Sequence, residues 1–361
     1  MTEGGATGEG KGIDPRLQIN SLMRRYAGAV PGACVAVCRP GHAAIELAYG
    51  LADCEQGTSC RPDTNYRIAS IAKQFTAAAV LLLHESGALR LEDAVRDWLP
   101  ALPESCRGMT VHHLLTHTSG VVDYEDLIAP GTRFALRYPD VLQLLQGRDE
   151  RYFAPGSSYR YSNSGYVLLA SIVERASGEK FSSFLGRRIF EPLQMAQTVA
   201  HEEGISVISN RAYGYRASGS SWLRADQSLT SATLGDGGIY SSIRDLARWD
   251  AALYGERLLR ADSLKLAVTP AVQTDDPAVR YGYGWRITGE SLWHSGESCG
   301  FRSVLVRFPA HGCTVILLTN RDAPEPYSSA LAIAKLFVPG ADSVRARVST
   351  AGPDSGARPI R

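Results

Sequence analysis

The feature that most restricts the fold is where the strand patterns fall. ACVAVC (33–38) and AAIELAY (43–49) flank RPGH, a hairpin signal, near the start of the chain. YGYGWRI (281–287), SLWH (291–294), FRSVLVRF (301–308) and CTVILLT (313–319) read as strands with turns between them near its end. From Ser70 to about Gly255 almost everything reads helical or looped, including KQFTAAAVLLLHE, YVLLASIVERAS and SIRDLARWDAAL. Strands at both ends with helices inserted predict an α+β fold, in which one antiparallel sheet draws the first and last segments together.

No repeat or low-complexity linker divides this pattern, so residues 13–339 are expected to form one interwoven domain. Its sheet part spans about 13–66 and 236–339, and its helical part about 67–235. Asp14-Pro15 has the form of a helix start, with Leu17, Leu22 and Tyr26 as the apolar face, and a final helix is expected from Tyr327 to Phe337. Residues 1–12 hold five glycines, and 340–361 are poor in large hydrophobes; both are expected to be disordered tails.

Composition narrows the function classes. With 44% hydrophobic and 21% charged residues the chain is ordinary globular material, and a net charge of +1 gives no reason to expect nucleic acid or an anionic membrane. The longest apolar stretch, Ala77 to Leu83, falls far short of the ~20 residues that span a bilayer. MTEGGATGEGKGIDP lacks the apolar core of a secretory signal, which sets the expectation of a cytoplasmic protein. Seven cysteines, an odd number without CxxC spacing, suit reduced thiols. Cys34 and Cys38 share a strand face and read as small buried hydrophobes rather than metal ligands.

Three motif matches compete for the chemistry. GATGEGKG (5–12) resembles a phosphate loop, but Gly12 replaces the Ser or Thr and no strand precedes it. Gly296-Glu297-Ser298-Cys299-Gly300 fits a nucleophile elbow, yet His311 precedes Asp322, the reverse of the order required, in a strand-turn-strand context. S-x-x-K occurs at Ser70–Lys73 and at Ser177–Lys180, and Ser177-Gly178 has the form of a helix C-cap. Ser70 instead begins a long helix, whose i,i+3 spacing sets Ser70 beside Lys73. A desolvated lysine can take a serine proton, and a helix N-terminus offers N–H groups to an oxyanion. On S-x-x-K alone, a capping serine and a solvated lysine fit as well.

Two more elements decide between these readings: Tyr161-Ser162-Asn163, just ahead of another helix, and His294-Ser295-Gly296, between two strands. S-x-x-K, Y-x-N and H-x-G in this order resemble the penicillin-recognising serine hydrolases: class C β-lactamases, serine D-Ala-D-Ala peptidases and family VIII carboxylesterases. YRIASIAKQFTAAAV, LLTHTSG (114–120), FAPGSSYRYSNSGY, IFEPLQM (189–195), GDGGIYSSIRDLARW and YGYGW resemble further segments of that family, so the likeness covers roughly 15–338. It implies a β-lactamase/transpeptidase-like fold.

The resemblance also implies roles. Ser70 forms the acyl-enzyme, and Lys73 with Tyr161 acts as its general base. Asn163 bonds the lysine or the substrate, and His294 lines the site with Ser295 and Gly296 and can orient the tyrosine. The N–H groups of Ser70 and Glu297 form the oxyanion hole. His112, His113 and His117 stay outside the site, LLTHTSG being structural in the family. No metal or cofactor is implied.

Departures refine the substrate. His294 stands where many β-lactamases carry lysine, so a fixed cation for a substrate carboxylate is missing, with Arg302 a few residues on as the compensating candidate. No Ser-Asp-Asn element is present, so deacylation through a class A glutamate is not expected. The expected activity is therefore a carboxylesterase on small esters. The alternatives are a D-Ala-D-Ala peptidase or β-lactamase, an acyltransferase or transamidase, and a non-catalytic sensor. The partner is a small-molecule acyl substrate, and the oligomeric state stays open.

Overall fold

The computed structural model describes residues 14–341. The GATGEGKG match and the tails expected at 1–12 and, beyond Ala341, at 340–361 lie outside the described residues.

Among those residues the largest sheet has eight antiparallel strands. They are β1 (Ala33–Cys38), β2 (Ile45–Tyr49), β3 (Val272–Gln273), β4 (Arg280–Tyr281), β5 (Arg286–Thr288), β6 (Ser291–Ser298), β7 (Phe301–Phe308) and β8 (Cys313–Thr319). The order is β3-β4-β5-β6-β7-β8-β1-β2, with Val35 opposite Leu317 on one side and Leu47 on the other. The first hairpin thus completes the last meander, as the strand pattern predicts.

FRSVLVRF and CTVILLT are nearly continuous apolar runs because both faces of the sheet are covered. Cys34, Ala36, Leu305, Ile316 and Leu318 point into the larger core, while Val35, Val37, Val304, Val306 and Leu317 point into a second core on the other face. Period two sorts each strand between the two cores.

The helices that matter here are α1 (Pro15–Leu22), α2 (Ala72–Glu85), α3 (Asn163–Ser177), α4 (Ile243–Ala252), α5 (Ala261–Val268) and α6 (Tyr327–Ala334). α1 and α6 cover the outer face, and α4 packs on the inner face against β1 and β8. Asp14 caps α1 through Arg16 N–H at 2.9 Å. α2 runs through the middle of the larger core, and every residue from Ala72 to Leu83 is buried.

Several expectations need correction. The buried residues of the first segment are Ile19, Met23 and Tyr26, while Leu17 is 62% and Leu22 37% exposed; i, i+4, i+7 spacing is what meets α6. The last helix ends at Ala334. YGYGWRI is two strands, because Gly284 takes φ +76° and lies so close to α2 that an added Cβ would come within 2.8 Å of the Lys73 carbonyl oxygen. The middle region also holds strands: Val199–Ala200 and Ile239–Ser241 form a small sheet with Tyr66–Arg67, and Tyr215–Ser218 pairs with Ser221–Arg224.

Candidate active site

Ser70 lies in a 3₁₀ turn, Ala69–Ile71, that runs directly into α2. Ala69 takes φ +47°, a left-handed conformation that a residue with a Cβ adopts at a cost. The strained turn leaves Ser70 half-buried at the edge of the core. β6 presses against the same turn, and a Cβ on Gly296 would meet the Ile68 carbonyl oxygen at 2.1 Å. Only glycine lets the strand approach so closely.

Lys73 is fully buried, the second residue of α2 and one turn on from Ser70. Its Nζ stands 3.0 Å from Ser70 Oγ, 2.8 Å from Asn163 Oδ1 and 3.0 Å from the Asp236 carbonyl oxygen. Asn163 opens α3, its backbone N–H donating to Asp123 Oδ2 at 2.7 Å and its Nδ2 to Glu125 Oε1 at 2.8 Å. That second bond fixes the amide orientation, so the oxygen faces the lysine. Two of the three acceptors around Nζ can only accept, which leaves Ser70 Oγ as the position able to give a proton to a neutral amine.

Carboxylates gather behind this group. Burial raises the carboxyl of Asp123 above its ordinary range, and burial raises that of Asp236, which accepts from Tyr124 Oη at 3.0 Å.

Tyr161 enters as part of an aromatic wall. Lys73 Nζ lies 4.9 Å from its ring centroid, the His117 ring packs on it at 4.3 Å, and the His294 ring is 6.2 Å away. Arg286 also lies over this ring, its guanidinium carbon 5.4 Å from the centroid. His294 is buried, with Nδ1 at 2.7 Å from the Ser295 carbonyl and Nε2 at 3.0 Å from Tyr281 Oη. The carbonyl can only accept, so Nδ1 carries the proton and Nε2 accepts from Tyr281. Burial, with Arg286 and Lys73 adding repulsion, holds this imidazole well below its usual range. The hydroxyl bonded to His294 is therefore that of Tyr281, and Tyr161 is a ring neighbour.

The structure brings Ser70, Lys73, Tyr161, Asn163 and His294 together, with Ser295 and Gly296 on β6 beside them. Glu297 turns outward and pairs with Arg302 across the hairpin, so the cation proposed to compensate for the missing lysine is already engaged. The competing motifs lie elsewhere. Ser177 Oγ accepts from Glu179 N–H at 3.2 Å beside an exposed Lys180, and Gly178 ends α3 at φ +73°. Ser298 ends β6 in a strand-turn-strand hairpin, and His311 faces Glu290 at 3.3 Å.

The Beta-lactamase family pattern matches residues 19–338. The chain belongs to the beta-lactamase family. Within it, a penicillin-binding protein of Bacillus subtilis (strain 168) is 32% identical over 302 residues, 78% of this chain and 66% of that protein. A D-aminopeptidase of Gluconobacter oxydans (strain 621H) is 30% identical over 336 residues, 89% of this chain and 61% of that protein. The chain thus spans about two thirds of the length of these relatives.

Two solved structures share the fold. A penicillin binding protein from Bacillus halodurans superposes with TM-score 0.80 at 28% identity, covering 88% of this chain and 99% of that one. A D-amino acid amidase from Ochrobactrum anthropi SV3 gives 0.78 at 26% identity, covering 90% and 99%. The beta-lactamase family placement makes this a chain of the beta-lactamase-fold serine hydrolase superfamily. Among the described residues no helix is long and apolar enough to cross a membrane.

Sequence reasoning set His117 outside the site, whereas the structure packs it on Tyr161, and it missed Glu125, Asp236, Tyr281 and Arg286 as neighbours of the site. His117 at φ +58° turns its ring onto Tyr161, Tyr166 and Tyr281, a placement that tertiary packing alone creates. Burial lowers its pKa well below the usual range too, and its Nδ1 accepts from Ser162 N–H at 3.1 Å.

Proposed function

We propose that this protein is a serine hydrolase working through an acyl-Ser70 intermediate. The observation that carries the reading is the 3.0 Å contact of Ser70 Oγ with the buried Lys73 Nζ, whose other two acceptors are fixed. Lys73, with Tyr161 beside it, takes the Ser70 proton as Oγ attacks the acyl carbon. The N–H groups of Ser70 and Glu297 hold the resulting oxyanion, each such donor typically contributing about 3 kcal/mol to the transition state. The proton passes from Lys73 through Tyr161 to the leaving group, and water then attacks the ester of Ser70, giving its own proton to the same pair, which hands it back to Ser70 Oγ.

Small esters remain the first substrate class, because an alkoxide leaving group demands less of the acid than an amine. A neutral His294 and an Arg302 engaged by Glu297 give a substrate carboxylate little to dock on from β6. A second reading, hydrolysis of aminoacyl amides, is favoured by Glu125, whose carboxylate reaches Asn163 within the site and offers a charge partner for a substrate ammonium. The names of two relatives, D-aminopeptidase and D-amino acid amidase, point the same way. Arg286 beside Tyr161 keeps carboxylate-bearing substrates in the comparison.

The test is a panel of p-nitrophenyl butyrate, D-alanine p-nitroanilide, nitrocefin and a D-Ala-D-Ala peptide with Ser70→Ala as control. An ester kcat/KM at least roughly tenfold above all others, about 1.4 kcal/mol, supports the first reading. Faster turnover of the anilide replaces it with the second, and faster opening of nitrocefin makes the protein a β-lactamase.

A further inference from the structure

Tyr161 has no helix or strand of its own to hold it: residues 158–162 form neither, and α3 begins only at Asn163. Its two chain neighbours are both fastened to one residue. Arg160 N–H donates to the His117 carbonyl oxygen at 3.0 Å, and Ser162 N–H donates to His117 Nδ1 at 3.1 Å. The imidazole then packs on the Tyr161 ring at 4.3 Å. Asn163, the next functional residue along, has anchors of its own in Asp123 and Glu125.

The backbone of His117 lets it offer both acceptors to the same segment. At φ +58° it is left-handed, a conformation in which histidine and asparagine are enriched among residues with a side chain. The residue is 2% exposed, and a backbone N–H can only donate, so Nδ1 is unprotonated and the proton of the neutral ring sits on Nε2. Among the described residues Nε2 has no hydrogen-bond partner, which leaves Nδ1 as the atom through which the ring bonds. A charged ring would carry a second proton on Nδ1 and lose Ser162. Burial, with Lys73, His294 and Arg286 adding repulsion, opposes that charge.

We infer, on the acyl-Ser70 reading in which Tyr161 shares the base, that His117 is a positioning residue: through Arg160 and Ser162 its two acceptors hold Tyr161 where the phenol exchanges a proton with Lys73. His117 acts only through Tyr161.

Kinetics with p-nitrophenyl butyrate test the role in two variants. His117→Phe keeps a ring against Tyr161 and loses Nδ1, while His117→Gly keeps the left-handed backbone and loses ring and acceptor together; a cooperative urea transition shows which is folded. A folded variant should lose kcat about tenfold or more with KM little changed. His117→Asn, which carries Oδ1 at the position of Nδ1 and tolerates positive φ, should recover most of that loss. In a Tyr161→Phe background, where the phenol hydroxyl is already gone, the same His117 substitution should lower kcat no further. An equal fold loss in both backgrounds, or an unchanged kcat in a folded variant, makes His117 a packing residue and overturns the role. A wild type that neither turns over the ester nor takes a fluorophosphonate on Ser70 fails the acyl-Ser70 reading itself, and the positioning role with it.

Discussion

Asn163 presents its Oδ1 to Lys73 Nζ at 2.8 Å, and the orientation is set from behind by Glu125. The amide is therefore a fixed acceptor that holds the lysine over Ser70. Asn163→Ala should lower kcat about tenfold to a hundredfold, about 1.4–2.8 kcal/mol in the barrier, since the general base loses the acceptor that positions it. Steady-state kinetics with p-nitrophenyl butyrate checks it, and an unchanged kcat would show that Lys73 needs no such support.

Lys73 and Tyr161 stand together at 4.9 Å, nitrogen to ring centroid. Lys73→Ala and Tyr161→Phe should each lower kcat by roughly 10²-fold or more. The double variant should be little worse than the poorer single one. A loss equal to the product of the two would mean that they act independently.

Gly296 leaves no room for a side chain against Ile68. Gly296→Ala should therefore destabilise the protein by about 2–3 kcal/mol and slow acylation, since the displaced turn carries Ser70. Urea denaturation alongside labelling kinetics reads both effects. Full stability with normal labelling would contradict the close approach of β6.

Buried neutral His294 has a direction in pH. Its folded pKa lies well below the unfolded value near 6.5, so the unfolded state takes up a proton first as pH falls. Stability is intact above about 6.5 and falls below it, by up to about 1.4 kcal/mol per pH unit for this one group. His294→Gln should flatten the dependence between about pH 6.5 and 5.5 in urea titrations. An unchanged slope would mean that His294 is protonated in the fold.

Glu125→Gln keeps an acceptor for Asn163 and removes the charge. If an ammonium docks there, kcat/KM for D-alanine p-nitroanilide should fall about tenfold or more while p-nitrophenyl butyrate is little affected, the loss of a charge-assisted contact being worth about 1.5–3 kcal/mol. Equal losses on both substrates would leave Glu125 with a purely positioning role.

What the sequence made legible was local or periodic. The i,i+3 spacing of Ser70 and Lys73 survives as a 3.0 Å contact, and the alternating strands at both ends meet where β1 pairs with β8. What it hid depends on tertiary approach. The break in YGYGWRI is set by α2 lying under Gly284, and the face of α1 is chosen by α6 rather than by its own leucines. Glu125 and Arg286 are charges outside the three motifs, and only packing carries them to Asn163 and Tyr161.

The most direct test of the acyl-Ser70 account is intact-protein mass spectrometry after treatment with a fluorophosphonate, followed by peptide mapping. The account predicts a single adduct on Ser70, absent in Ser70→Ala and retained in Ser177→Ala and Ser298→Ala. An adduct that persists in Ser70→Ala and disappears in Ser298→Ala would contradict it and place the chemistry in the Gly296–Gly300 turn.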